Sequence, residues 1–338
     1  MVQAQPVRED DEWEAGAAEA EVDASVETRA AHVDAEGHGV RLDRWLVQLA
    51  PEFSRNHLQS LVERGCVTIN GAVVAKDARK LRAGEVVRIE LQPTEESQAF
   101  RAEQLPLAVL FEDEHLLVLD KAVGMVVHPA AGNWSGTVMN GLLAHHRAAA
   151  TLPRAGIVHR LDKDTSGVMV IGKTLEAVTA LTRMIAAREV HREYLALAWG
   201  RVEEPLIVDA PLRRDPATRI KMAVLAGGKP ARTDVWPLGQ GEQDGRSISG
   251  IHCVLHSGRT HQIRVHLASR GHPLVADALY GGAPALGLAR QALHAARLSF
   301  AHPVLGMALR FDAPMPQDLA SAWQSLGLAA PVLDRSGA

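Results

Sequence analysis

The sequence predicts an α+β protein built from two unequal units joined by a short connector. Three observations carry this reading. Residues 42–62 repeat apolar positions at helical spacing and pass directly into short strand-like runs around Asn70-Gly71. Pro93 and a polar stretch over 92–107 then interrupt the pattern, as a linker does. From residue 108 to 327, β-rich runs alternate with helical stripes, which fits a sheet flanked by helices.

Length and composition agree with two domains. The chain has 338 residues, of which 47% are hydrophobic, enough for a sizeable core. Two cysteines, Cys66 and Cys253, exclude a disulfide scaffold and a four-cysteine zinc site. There is no run of 18 apolar residues and no apolar signal region at the N-terminus, so no membrane span is expected and a cytoplasmic location is the expectation. The net charge of −4 averages two unlike regions. Residues 1–38 hold 11 acidic and 2 basic residues, leaving 29 acidic and 34 basic residues behind them. A mildly basic body behind an acidic tail fits a polyanionic partner.

Taken in order, residues 1–38 read as an acidic disordered tail, with too few large apolar residues to offset the entropy of ordering. Residues 39–91 form a compact unit. Leu42, Trp45, Leu46 and Leu49 mark one helix, and Ser54 caps a second that carries Leu58, Leu61 and Val62 and ends at Gly65. Val67–Ile69 and Val73-Val74 flank the hairpin turn Asn70-Gly71, and Gly84 precedes a strand over Val86–Leu91. The linker occupies 92–107.

In the larger unit, 108–327, a β-hairpin over Val109–Leu119 comes first and a helix over Val138–His146 follows. A second helix, Leu175 to Arg188, carries the stripe Leu175, Val178, Leu181 and Ile185 toward the core. Residues 205–235 are hairpin-like and basic. Thr260 is expected to cap a helix over His261–Leu267, with Ile263 and Leu267 facing inward. Late strands over Leu293–Phe300 and Met307–Phe311 and a helix from Gln317 to Leu326 close the fold, and 328–338 is a C-terminal tail.

Chemistry concentrates between Gly156 and Thr174. Two apolar runs flank the polar turn His159-Arg160-Leu161-Asp162-Lys163-Asp164-Thr165-Ser166-Gly167. A carboxylate fixed on such a turn can be a nucleophile, a general base or a metal ligand. Calcium fails as a reading. Asp162, Asp164, Ser166 and Gly167 fall on positions 1, 3, 5 and 6 of an EF-hand loop, but position 12 is Lys173. An aspartyl-phosphate site needs further carboxylates for magnesium, and the downstream stretch offers only the lone Asp277. His261 and His266 are five apart, a poor spacing for one helix face, and no carboxylate or cysteine completes a set with them. No metal and no cofactor is expected.

The nonapeptide 159–167 resembles the signature loop of the RluA family of RNA pseudouridine synthases. Two further stretches resemble the family's other motifs: Arg192-Glu193-Tyr194-Leu195-Ala196, and Gly258-Arg259-Thr260-His261-Gln262-Ile263-Arg264 with its continuation through Tyr280-Gly281. The small N-terminal unit is similar to an S4 RNA-binding domain in Arg41-Leu42-Asp43-Arg44-Trp45-Leu46 and Ser54-Arg55-Asn56-His57-Leu58-Gln59. The family usually has Pro after Lys121, where this chain has Ala122, a change that loosens a turn. His128-Pro129-Ala130-Ala131-Gly132-Asn133 and Pro153-Arg154-Ala155-Gly156 are most similar to the RluD type.

The resemblance implies a catalytic domain with a mixed, mainly antiparallel sheet, and an isomerase that converts uridine to pseudouridine in RNA. It implies Asp162 as the catalytic residue, Tyr194 packing against the target base, and Arg264 pairing with Asp162. It implies Arg160 filling the stack vacated by the extruded base, with His159 and Arg259 as further RNA contacts. Phosphate contacts from the S4 unit are expected at Arg41, Arg44, Arg55, Arg64, Lys76, Arg79 and Lys80. The implied partner is large-subunit (23S) ribosomal RNA, free or in a pre-50S particle, with the helix 69 loop as target and the enzyme acting as a monomer. RluC-type sites on the same RNA are the nearest alternative. A non-catalytic S4-type assembly factor is the alternative of a different class, and the joint presence of Asp162, Tyr194 and Arg264 argues against it.

Overall fold

The computed structural model describes residues 27–92, 99–130, 132–218 and 220–333. The chain divides into two compact units, residues 1–94 and 95–338.

The first unit opens on strand β1 (Glu27–His32), followed by helices α1 (Leu42–Leu49) and α2 (Arg55–Glu63) and strands β2 (Val67–Ile69), β3 (Ala72–Val73) and β4 (Val86–Leu91). The four strands pair in the order β1-β4-β2-β3. Ser54 caps α2 by accepting from the His57 N–H at 3.3 Å. Asn70 and Gly71 both take positive φ, 51° and 81°, as the tight β2–β3 turn demands. Leu42, Leu46, Leu58, Leu61, Val62, Val67, Val87 and Ile89 are fully buried between the helices and the sheet.

The disordered tail expected through residue 38 ends earlier. β1 runs antiparallel to β4 from Glu27↔Leu91 to His32↔Val86, and Val33 is buried in the core beyond it. The composition hides this strand because its side chains alternate between exposed and half-buried positions, so it holds by backbone pairing to β4. The rest of the expected tail, residues 1–26, lies outside the described residues.

Asp43 is the polar centre of this unit. It is fully buried, and its carboxylate accepts from Arg41 at 3.0 Å, Gln59 at 3.0 Å, the Arg44 N–H at 2.9 Å and Arg55. The hydrogen bonds from Arg41, opposed by burial and supported by Arg55 and Gln59, hold its carboxyl well below the usual range. Asp43→Ala is expected to lower stability by about 2 kcal/mol, less than the ~3–5 kcal/mol of a fully buried pair, because Arg41 and Arg55 regain water. The Asp43 contribution is complete above the unfolded pKa of about 4 and is lost as pH falls from there toward the depressed folded value. Urea unfolding of the wild type and Asp43→Ala checks this: the stability gap between them should be full at neutral pH and narrower, though not closed, at pH 3, where the folded-state carboxylate is still ionised.

The second unit holds a nine-stranded sheet. In chain order its elements are β5 (Ala108–Glu112), β6 (Leu116–Lys121), α3 (Val138–His145), β7 (Ser166–Gly172), α4 (Leu175–Ala187), β8 (His191–Trp199), β9 (Leu206–Asp209), β10 (Leu212–Arg214), β11 (Met222–Val224), β12 (Arg232–Gln243), β13 (Arg246–Leu255), α5 (Gln262–Ser269), β14 (Leu293–Ala301), β15 (Ala308–Asp312) and α6 (Gln317–Ser325). The sheet order is β5-β6-β7-β14-β8-β13-β12-β9, with β15 paired to β14. Every pairing in it is antiparallel except the short parallel contact of β7 with β14. β10 and β11 form a separate ribbon.

Four local expectations are corrected. Residues 99–107 do not behave as a linker: Ala99 is buried, and Asn140 donates to the carbonyls of Ala99 and Arg101 at 3.3 and 2.8 Å. Residues 93–98 lie outside the described part. Leu175 is 60% exposed, because the buried stripe of α4 begins one turn later at Val178. His261, with φ 55°, occupies the N-cap of α5 in place of Thr260. The expected C-terminal tail is docked at its start: Ala329 O accepts from Trp323 Nε1 at 2.8 Å. Residues 334–338 lie outside the described part.

Candidate active site

The loop carrying Asp162 is held from three sides. Beneath it, the buried Lys121 Nζ donates to the carbonyls of Ala122, Met125 and Lys163 at 2.7, 2.9 and 3.0 Å, which uses all three of its protons. Arg290 donates to Asp164 O at 2.9 Å, and Gln291 reaches Thr165 Oγ1 at 3.3 Å. At the loop's end Gly167 takes φ 114° where β7 meets β14, and a Cβ there would lie 2.1 Å from Ala295 O. Only glycine fits that crossing.

Asp162 projects from this loop into a cleft of about 780 Å³. Arg264, from α5, donates through Nη1 to Asp162 Oδ2 at 3.1 Å. The rest of its guanidinium forks onto Asp277: Nε to Oδ2 at 2.7 Å and Nη2 to Oδ1 at 2.8 Å. Asp277 is 1% exposed and precedes the short turn Ala278–Tyr280. Burial opposes the Arg264 charge, but Asp277 and Asp162 more than offset it, so the guanidinium is held above its usual range. Among the described residues Asp162 Oδ1 has no hydrogen bond. His261 Nε2 lies 4.0 Å from it.

His261 is oriented from behind. Its Nδ1 lies 2.8 Å from the Tyr280 hydroxyl, which accepts from the Met222 N–H at 2.9 Å. Burial lowers the pKa of His261; Asp162 opposes this and Arg264 adds to it. Tyr194 lies on β8, is 6% exposed and lines the same cleft. Burial pushes its phenol up to about 12, so it is a protonated donor at neutral pH. The three residues expected to meet, Asp162, Tyr194 and Arg264, do line one cleft, across sequence separations of 32 and 70 residues.

The cleft is strongly cationic. Arg154, Arg160, Arg188, Arg192, Arg259 and Arg264 line it, and Asp162 is the single carboxylate among the lining residues. Arg160 and Arg259 are exposed at the cleft. His159 has another task. Its Nε2 accepts from the Val170 N–H at 3.0 Å, and burial, helped by the Arg192 charge, lowers its pKa to about 3. It is a neutral ring anchoring the loop to β7, so it presents no cation to RNA.

The S4-type residues fall into two groups. Arg41, Arg55 and Arg79 are engaged by Asp43, Asp77 and Glu85, and Arg64 donates to Gln92. Arg44, Lys76 and Lys80 are exposed and carry no ion pair among the described residues. No group of three metal-ligating side chains occurs among the described residues, and no described helix is long and apolar enough to cross a membrane.

Asp277, His261 and Lys121 were not legible as site residues. Asp277 appears in sequence as a lone carboxylate, and its pairing with Arg264 arises because the chain returns to α5 after residue 271. His261 sits within the third motif, and its position five residues before His266 argued only against a metal. Lys121 is a buried lysine satisfied by carbonyls, a role without a sequence pattern.

Comparison with known proteins agrees with this geometry. The RNA pseudouridylate synthase family matches residues 115–269 and the S4 domain family residues 40–87. The chain is 46% identical over 296 residues to the ribosomal large subunit pseudouridine synthase D of Nitrosomonas europaea, covering 85% of both chains. It is 45% identical over 294 residues to the protein of that name from Neisseria meningitidis serogroup B, covering 83% of this chain and 77% of that one. In fold it is similar to the solved human RNA pseudouridylate synthase domain containing 4 (TM-score 0.52, 21% identity, 67% of this chain and 95% of that one) and domain containing 1 (TM-score 0.51, 24% identity, 69% and 90%). The cationic cleft, its lone carboxylate and these relatives together make the chain a member of the RNA pseudouridylate synthase family, an RNA-modifying isomerase with an S4 domain ahead of its catalytic domain.

Proposed function

We propose that this enzyme isomerises uridines of large-subunit (23S) ribosomal RNA, in the helix 69 loop, with Asp162 as the nucleophile. The observation that carries the reading is the cleft itself: one carboxylate, with Oδ2 held by Arg264 and Oδ1 unengaged, inside a ring of arginines. The names of the relatives, ribosomal large subunit pseudouridine synthase D, point to the RNA. An S4 unit with exposed Arg44, Lys76 and Lys80 supports RNA binding outside the cleft.

The target base must leave its stack, at a cost of a few kcal/mol. Arg160 takes its place, a role suited to a guanidinium that stacks and binds phosphate. Tyr194 packs against the extruded uracil. Asp162 Oδ1 attacks C1′, and the N1–C1′ bond breaks with its electron pair left on the uracil. The uracil turns, C5 bonds to C1′ and Asp162 departs. The C5 proton is lost and N1 gains one, so the product is an isomer of the substrate. The substrate is 23S RNA, free or in a pre-50S particle, and the enzyme works as a monomer.

Mapping pseudouridines in ribosomal RNA from cells with and without this gene tests the assignment. Loss confined to the helix 69 loop supports it. Loss at other large-subunit sites would favour an RluC-type enzyme, and an unchanged map would favour an assembly factor.

RNA affinity should fall steeply with salt, because arginine and lysine displace counterions from the RNA. A protein lacking residues 1–94 is expected to bind a short hairpin more weakly, with a shallower salt slope, while still turning it over at saturation. Complete loss of turnover at saturating RNA would place the S4 unit within the active site.

A further inference from the structure

Arg192 is a buried cation without a counter-ion among the described residues. It is 5% exposed on β8, yet it lines the cleft. Its Nε has no hydrogen-bond partner, and its guanidinium makes no ion pair among the described residues. Burial lowers its pKa accordingly. The turn above it is shaped around it: a Cβ on Gly258 would lie 2.6 Å from Arg192 Nη1, so a side chain there would displace the guanidinium. A buried charge left unpaired is strongly unfavourable. In the same cleft, Arg264 has two carboxylates. A guanidinium held in place, desolvated and unpaired at a cleft wall is suited to an anion brought by the ligand, and its fork matches two oxygens of a phosphate.

We propose that Arg192 is the binding subsite for a backbone phosphodiester adjoining the uridine that enters the cleft. Arg192 acts as a positioning residue: it fixes the sugar–phosphate on one side while Tyr194, two residues along the same strand face, takes the base. The inference rests on the RNA-modifying reading above.

The test is a binding cycle in an Asp162→Asn background, which reads affinity and no chemistry. Hairpins carry a single neutral methylphosphonate at one of the phosphates flanking the target uridine. One such replacement is expected to weaken binding by roughly ten- to a hundredfold, the equivalent of a hydrogen bond to a charged group. Arg192→Met should weaken the unmodified hairpin by a similar factor and show no further loss with that methylphosphonate. Equal sensitivity of both proteins at every flanking phosphate would overturn the proposal. The free Arg192→Met protein should melt at or above the wild-type temperature, because an unpaired buried charge has been removed. Melting well below wild type, or failure to fold, would instead mark Arg192 as a structural group and also overturn it. Failure of the enzyme to make pseudouridine would leave this binding cycle untouched, so the two readings fall separately.

Discussion

Asp162→Asn is expected to abolish turnover, by more than about a thousandfold, while leaving a folded protein that binds RNA. The amide keeps the shape of the carboxylate and its hydrogen bond from Arg264 Nη1, but not the charge that the proposed attack on C1′ requires. Stability should change by about 1 kcal/mol or less, since Arg264 keeps its fork on Asp277. On this proposal phosphate contacts come from the arginines that line the cleft, so affinity for a hairpin should hold or rise slightly as the RNA loses one repulsive neighbour. Single-turnover assays on protein purified free of host synthases, with binding measured in parallel, separate the two effects. Appreciable turnover by Asp162→Asn would remove Asp162 from the chemistry.

The largest effect on stability is expected at Arg264→Met. Asp277 is 1% exposed, and its two strong partners are Arg264 Nε and Nη2. Removing them leaves a buried carboxylate with only the Tyr280 N–H at 3.3 Å. The expected loss is about 3–5 kcal/mol, mostly the penalty of stranding a charge. Replacing both partners, Arg264→Met with Asp277→Leu, should recover much of that stability and none of the activity, because Asp162 still lacks its cation. Urea unfolding of the single and double variants checks this. A single variant within about 1 kcal/mol of wild type would show that Asp277 is not held by Arg264 in solution.

The parts of this protein that were legible in sequence are those with a local cause. The Asn70-Gly71 turn needs two residues at positive φ, and Ser54 supplies a cap oxygen at the right offset. The nonapeptide around Asp162 is legible because all nine contiguous residues together resemble a family's signature loop. Where the cause is long-range, the sequence is silent. β1 exists because β4 offers an edge, and its own composition argues for a tail. Leu175 belongs to the apolar stripe of α4 by spacing, but it lies in the first turn, where the neighbouring elements do not cover it. Asp277 and Arg264 are 13 residues apart and meet only because the chain after α5 folds back. The set of basic residues in the S4 unit was legible as a set, yet spacing does not show that Arg41 and Arg55 are drawn onto the buried Asp43 while Arg44 faces water. His159 illustrates the same limit: beside Arg160 it reads as a second RNA contact, and its hydrogen bond from Val170 makes it an anchor.

The most direct measurement is pseudouridine mapping of unmodified large-subunit ribosomal RNA after treatment with the purified enzyme. Carbodiimide labelling and primer extension read every position at once, and Asp162→Asn serves as the parallel control. The account predicts new pseudouridines in the helix 69 loop with the wild type and none with the variant. Pseudouridine absent from that RNA with both proteins, or formed equally by both, would contradict it.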